Sequence, residues 1–174
     1  MSGHNKWSKI KHKKAATDAK KSILFSKHIA AISVAAKENP KPEANTTLRA
    51  VIDRAKADNV PNINIENALK KAGEQKDLKD LIIEAYGPES AAILITAITD
   101  NSNRTIAEIK KLLSNLRAKF ADPGSVLWAF DQNEDKTWRA KFPQPISEEG
   151  TKQIQKMISA LEEHPDIQNI YTNI

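Results

Sequence analysis

The stretch AAILITAIT, residues 91–99, constrains the fold more than any other part of the sequence. It is apolar at successive positions, so a strand built from it needs cover on both faces and reads as central in its sheet. Just before it, DLIIEAYGP is a second short apolar run, broken by Gly87 and Pro88. Downstream, Ile106, Ile109, Leu113 and Leu116 make a helical stripe, introduced by Thr105 with Glu108 three residues on, the spacing of a capping box. DPGS at 122–125 is a turn; VLWAF then reads as a strand, with KTWRAKF its hairpin partner across DQNED. A last helix is expected from the N-cap Ser147, with Glu148 and Glu149 in its first turn and Ile154, Met157, Ile158 and Leu161 on one face, ending before Pro165. DIQNIYTNI closes the chain as a strand.

From Ala91 onward the order is strand, helix, strand, strand, helix, strand, a ferredoxin-like βαββαβ arrangement with DLIIEAY as one extra strand and both crossover helices on one face. The upstream third has a different period. A well-buried helix is expected from Ser22 to about Lys37, carrying Ile23, Leu24, Phe25, Ile29, Ile32 and Val34, and ENPKPE stops it. Leu48, Val51, Ile52 and Ala55 form the stripe of a second helix, and Ile65, Ala68, Leu69 and Ala72 that of a third, with Pro61 near its start and Gly73 just past its end. Helices this short need one another's apolar stripes to be stable, and GEQKDLK reads as a linker. The fold class is therefore α+β: a basic N-terminal arm over 1–21, a three-helix domain over 22–75 and a ferredoxin-like domain over 78–174.

The 174 residues contain no cysteine, which excludes disulfides, Cys-based zinc and a thiolate nucleophile. No run reaches the ~20 apolar residues of a membrane span. There is no signal-peptide pattern, and the leading segment has lysine where a mitochondrial presequence has arginine, so a cytoplasmic location is expected. Net charge is +5, unevenly spread: residues 1–37 hold nine lysines and one aspartate, and the remainder holds 18 bases and 21 acids. A chain basic at one end points to a polyanionic partner.

GHNKWSKIKHKKAATDAKK, residues 3–21, concentrates that charge in lysines 6, 9, 11, 13, 14, 20 and 21, with Trp7 the one aromatic and no apolar stripe. An indole that stacks on an unpaired base beside ammonium groups that follow the phosphates suits single-stranded or RNA targets; a solvated basic tail is the plain alternative. Displacing counterions from about six phosphates gives a log–log salt slope of roughly −4 to −5. His4 and His12 lack acidic or thiolate neighbours at metal spacing, so no metal or other cofactor is expected. TDNSNRT, residues 99–105, lies between a strand and a helix start. Arg104 and the helix amides there could hold an anion, or Asp100, Asn101 and Asn103 could simply cap and turn the chain. Phosphate-loop, dinucleotide, zinc-protease and nucleophile-elbow motifs are absent, and Asp100 and Glu84 are the carboxylates to consider for catalysis. No catalytic residue is assigned and no enzyme is expected.

The same N-terminal stretch resembles the signature of the YebC/PmpR family, whose eukaryotic member is the mitochondrial translational activator of cytochrome c oxidase subunit I. LRAVIDRAKADNVPNINIENALKKA, YGP, TDNSNRTIAEIKKLL, GSV and DIQNIYTN resemble the family in order and spacing across nearly the whole chain. The resemblance implies a helical N-terminal domain followed by α/β domains. It implies one of two roles: a DNA-binding transcriptional regulator, or a translation factor that associates with the ribosome and assists difficult sequences such as polyproline. In the latter, the basic segment would reach ribosomal RNA. By matching position its candidates are Gly3, His4, Lys6, Trp7, Lys9, Lys11, His12, Lys13 and Lys14; the charge run adds Lys20 and Lys21. Two departures stand out: only DQNED separates the strands between which the family inserts a third domain, and NLRAKFADPG stands where relatives have a glycine-rich stretch.

The expectation is a non-enzymatic RNA-binding translation factor with ribosomal RNA as partner and no membrane or small-molecule substrate. A DNA-binding regulator is the alternative. The most basic segment holds lysine and no arginine, which favours backbone contact over base reading, although Arg49, Arg54 and Asn67 could serve a groove.

Overall fold

The computed structural model describes residues 4–72 and 77–174, with side chains from Thr17 onward. The helix expected to begin at Ser22 is one continuous helix, α1, His4–Glu38. No Pro or Gly stands between His4 and Ser22, and Ala15, Ala16, Ala19 and the lysines are strong helix formers, so nothing in the basic segment breaks the helix. Helices α2, Thr46–Ala57, and α3, Asn62–Lys71, follow, the latter capped by Pro61; Gly73 lies outside the described residues. Ile32, Ala35 and Ala36 of α1 close on Leu48, Ile52 and Ala55 of α2 and Ile65 and Ala68 of α3. Asn45 ties the corner: its Oδ1 accepts from Leu48 N at 2.9 Å, and its Nδ2 donates to the carbonyls of Ala35 and Asn39, each at 2.8 Å.

The sheet comprises β1, Lys79–Tyr86; β2, Ala92–Thr99; β3, Lys119–Ala121; and β6, Ile167–Thr172, in the order β3-β1-β2-β6 with every neighbouring pair antiparallel. Between β2 and β3 runs α4, Ser102–Asn115, and α5, Glu148–Glu162, leads into β6. β2 and β3 therefore run parallel with β1 between them, a split βαβ unit. The strand expected as an extra is this inner one. The segment expected to fill the slot, 126–130, is instead a 3₁₀ turn, Leu127–Ala129, and its strand β4 is only Phe130–Gln132, paired with β5, Trp138–Ala140, in a separate hairpin. The cause is Glu84, whose buried carboxylate accepts the amides of Gly124 at 2.6 Å, Val126 at 2.7 Å and Leu127 at 2.8 Å, turning toward itself the groups a ladder would need. β3 was not foreseen; it is three residues long and entered through Arg117 at φ 60°, a left-handed turn without glycine to announce it.

β2 is buried on both sides, as its sequence demands. Ile93 and Ile95, with Ile83 and Ala85 of β1, face Ile109 and Leu113 of α4 and Met157 and Leu161 of α5. Ala92 and Leu94 face Val126, Ala129 and Phe130 on the other side. Farther along that second face, Thr96 and Ile98 look across a cavity of about 450 Å³ to Leu24, Ala31 and Val34 of α1.

Candidate nucleic-acid interface

α1 is seated on the sheet body through its C-terminal half. Lys27 Nζ donates to the carbonyl of Glu162 at 2.5 Å, where the last turn of α5 leaves its carbonyls unpaired. Burial holds the Lys27 ammonium below its ordinary range, against the pull of the Glu162 carboxylate. At the next residue His28 Nε2 lies 2.6 Å from Oδ2 of Asp58 at the end of α2, and at the end of α1 Glu38 Oε1 meets Lys136 Nζ at 3.2 Å. Arg54 of α2 reaches Asp135 at 3.3 Å, so the hairpin tip clips both helices to the body. Asp135 accepts from the Thr137 hydroxyl and amide, which lowers its pKa, whereas burial raises those of Asp80 and Tyr171 beside the same cavity.

Before this seat α1 continues toward His4 for about six turns. Of the nominated binding residues, Lys20 and Lys21 have described side chains, and both are exposed. Lys20 Nζ is 3.6 Å from Glu163 Oε1 with the two side chains 72% and 66% exposed, a loose pair that water and salt weaken. Lys21 lies over the Phe25 ring at 5.4 Å. His4, Lys6, Trp7, Lys9, Lys11, His12, Lys13 and Lys14 are on the helical backbone with side chains outside the described residues, and Gly3 lies outside altogether.

TDNSNRT is structural. Asn101 caps α4 by accepting from Arg104 N at 3.1 Å. The helix starts at Ser102, so the capping box expected from Thr105 and Glu108 is not formed. Thr105 is instead buried, its hydroxyl 2.6 Å from Asp166 Oδ2 and 2.8 Å from Thr99 Oγ1. Arg104 Nη2 meets Asp100 at 3.1 Å and Asp166 at 3.0 Å, and Nη1 lies 3.9 Å from Glu108, so carboxylates of the chain surround its charge. Glu108, His164 and Asp166 bring three ligand atoms within 4.8 Å of one another. They do not make a good cation site: His164 Nδ1 accepts Asp166 N at 3.2 Å, its Nε2 faces Glu108 at 2.9 Å, and the Asp166 carboxylate already carries Arg104. Glu84, the other carboxylate considered for catalysis, is spent on its three amides. The sequence did not signal the Lys27 seat or the Glu84 clamp, because both partners lie far along the chain.

Comparison with known proteins agrees with this architecture. The model of the TACO1/YebC protein N-terminal domain matches residues 5–75, and that of the TACO1/YebC second and third domain matches 78–134 and 132–174. A "Probable transcriptional regulatory protein" of Thermosipho africanus is 52% identical over 136 residues, covering 76% of this chain and 54% of that protein. One of the same name from Petrotoga mobilis is 46% identical over 136 residues, with the same coverage. The chain thus spans about half the length of the curated relatives it matches. A solved structure, the conserved hypothetical protein Aq1575 from Aquifex aeolicus, superposes with a TM-score of 0.79 at 27% identity, over 90% of each chain. Two domain models that together span most of the sequence, in the order the helices and sheet are built, place this chain in the TACO1/YebC family.

Proposed function

We propose that the chain is a non-enzymatic, nucleic-acid-binding regulator of gene expression that acts as a ribosome-associated translation factor, with the lysine-rich turns of α1 on ribosomal RNA and assistance to difficult sequences such as polyproline as its task. The observation that carries this reading is the continuity of α1: the lysines at 6, 9, 11, 13, 14, 20 and 21 ride on a helix whose second half is seated on the body through Lys27 and Glu38. Ammonium groups repeated along a rigid rod follow a phosphate backbone without reading bases. The anion-binding alternative at Arg104 has its charge matched internally.

A second reading, a DNA-binding regulator of transcription, draws on the printed names of the bacterial relatives and on the helix itself, since a major groove admits an α-helix. Sucrose-gradient sedimentation separates the two. The intact chain is expected to travel with ribosomes at low salt, and a variant with Lys6, Lys9, Lys11, Lys13 and Lys14 changed to Gln is expected to stay at the top. An intact chain that ignores ribosomes but shifts duplex DNA favours the transcription reading.

A further inference from the structure

We propose that Trp128 and Phe142 form a stacking platform for unpaired bases, a second contact for single-stranded nucleic acid on the sheet body; this rests on the nucleic-acid reading above. Trp128 is 63% and Phe142 51% exposed, an unusual cost for two large rings, and their centroids lie 5.7 Å apart at a 42° tilt. The indole N–H is already donated to the Ser125 carbonyl at 2.8 Å, so what Trp128 offers a partner is its π-face. Stacking on such a face tolerates any base.

The platform is held in place before any ligand arrives. Glu84 pins the amides of Gly124, Val126 and Leu127 just before Trp128, and the Ala129 carbonyl accepts from Lys141 N at 2.8 Å and Phe142 N at 3.5 Å, setting the two rings side by side. Charge selects the occupant. Arg139 and Lys141 share the single carboxylate of Asp131 at 3.8 and 3.7 Å, their side chains 71% and 49% exposed, and Lys141 Nζ lies 5.6 Å from the Phe142 ring. Two cations for one acid beside two open rings suit a base with a phosphate on each side. A second copy of the chain would bring Arg139 and Lys141 against their own equivalents across a two-fold axis, which like-charge repulsion opposes.

The test is fluorescence anisotropy of a labelled oligouridine against the full chain over a range of salt. Trp128→Ala is expected to weaken binding roughly five- to hundred-fold with the salt slope unchanged, and Trp128→Phe to keep most of the affinity. Lys141→Gln is expected to flatten the slope by about 0.7. Circular dichroism checks the fold of each variant, and Phe142→Ala serves if Trp128→Ala unfolds. Wild-type binding that neither ring substitution alters overturns the platform and leaves the proposed function standing, whereas a wild-type chain that binds no nucleic acid overturns both. A dimer in sedimentation equilibrium that Trp128→Ala dissociates assigns the rings to self-association and overturns the platform too.

Discussion

In the sheet body Glu84 holds three amides, Arg104 sits among three carboxylates and Glu89 caps α5 through Ser147 N and Oγ, whereas on α1 Lys20 and Lys21 stand in water with one loose ion pair and one ring contact between them. Of these three Glu84 alone is buried, and Arg104 and Glu89 are exposed, so what separates the two regions is matching: the body's charges each meet several partners fixed by the fold, whereas Lys20 and Lys21 meet theirs loosely. The contrast sorts the polar residues of this chain by what they touch. It also explains why the carboxylates that looked available for chemistry in the sequence are already committed.

Substitutions on the two sides of the contrast should differ in kind. Glu84→Ala is expected to cost the most stability, about 3 kcal/mol or more, because three amides lose a charged acceptor inside the fold; urea denaturation measures it. Asn45→Ala comes next at about 2 kcal/mol in the same assay, as it removes a helix cap and leaves the Ala35 and Asn39 carbonyls without their donor. Glu89 acts through pH. Its hydrogen bonds from Ser147 hold its pKa below the ordinary 4.5, so the stability it contributes is present above that value and is lost as pH falls through the lowered folded pKa. Glu89→Gln should therefore remove part of the acid limb of a stability–pH profile. Smallest of all, Lys20→Gln with Lys21→Gln should change the unfolding free energy measured in urea by about 0.5 kcal/mol or less. A loss as large as that of Glu84→Ala would erase the contrast.

Much of this architecture is written locally. The two-sided apolar run at Ala92–Thr99 demanded cover on both faces and has it, and the stripes of α2, α3, α4 and α5 face the cores their spacing assigned. Ser147 caps α5 as expected, its side chain accepting from Gly150 N. What escaped is set at a distance or lacks a marker. Residues 126–130 have the composition of a strand, yet a carboxylate some forty residues upstream turns their amides away. β3 follows a left-handed Arg117 where a glycine would have announced the bend. The reach of α1 to His4 could have been read from the lack of Pro and Gly, but strong basic charge without an apolar stripe argued for an arm separate from the helix that begins at Ser22. At the candidate site the lysines were legible as a charge run; the seat that fixes their helix, Lys27 on the end of α5, was not, since it joins residues 135 apart.

The most direct measurement is the salt dependence of single-stranded RNA binding by the intact chain and by the variant with Lys6, Lys9, Lys11, Lys13 and Lys14 changed to Gln. A log–log slope of about −4 for the intact chain, falling to about −0.5 in the variant as each lost phosphate contact removes roughly 0.7, is the result expected of a helix whose lysines grip a polyanion. Equal slopes and equal affinities for the two proteins would contradict it, and would leave the five substituted lysines without the role proposed for them.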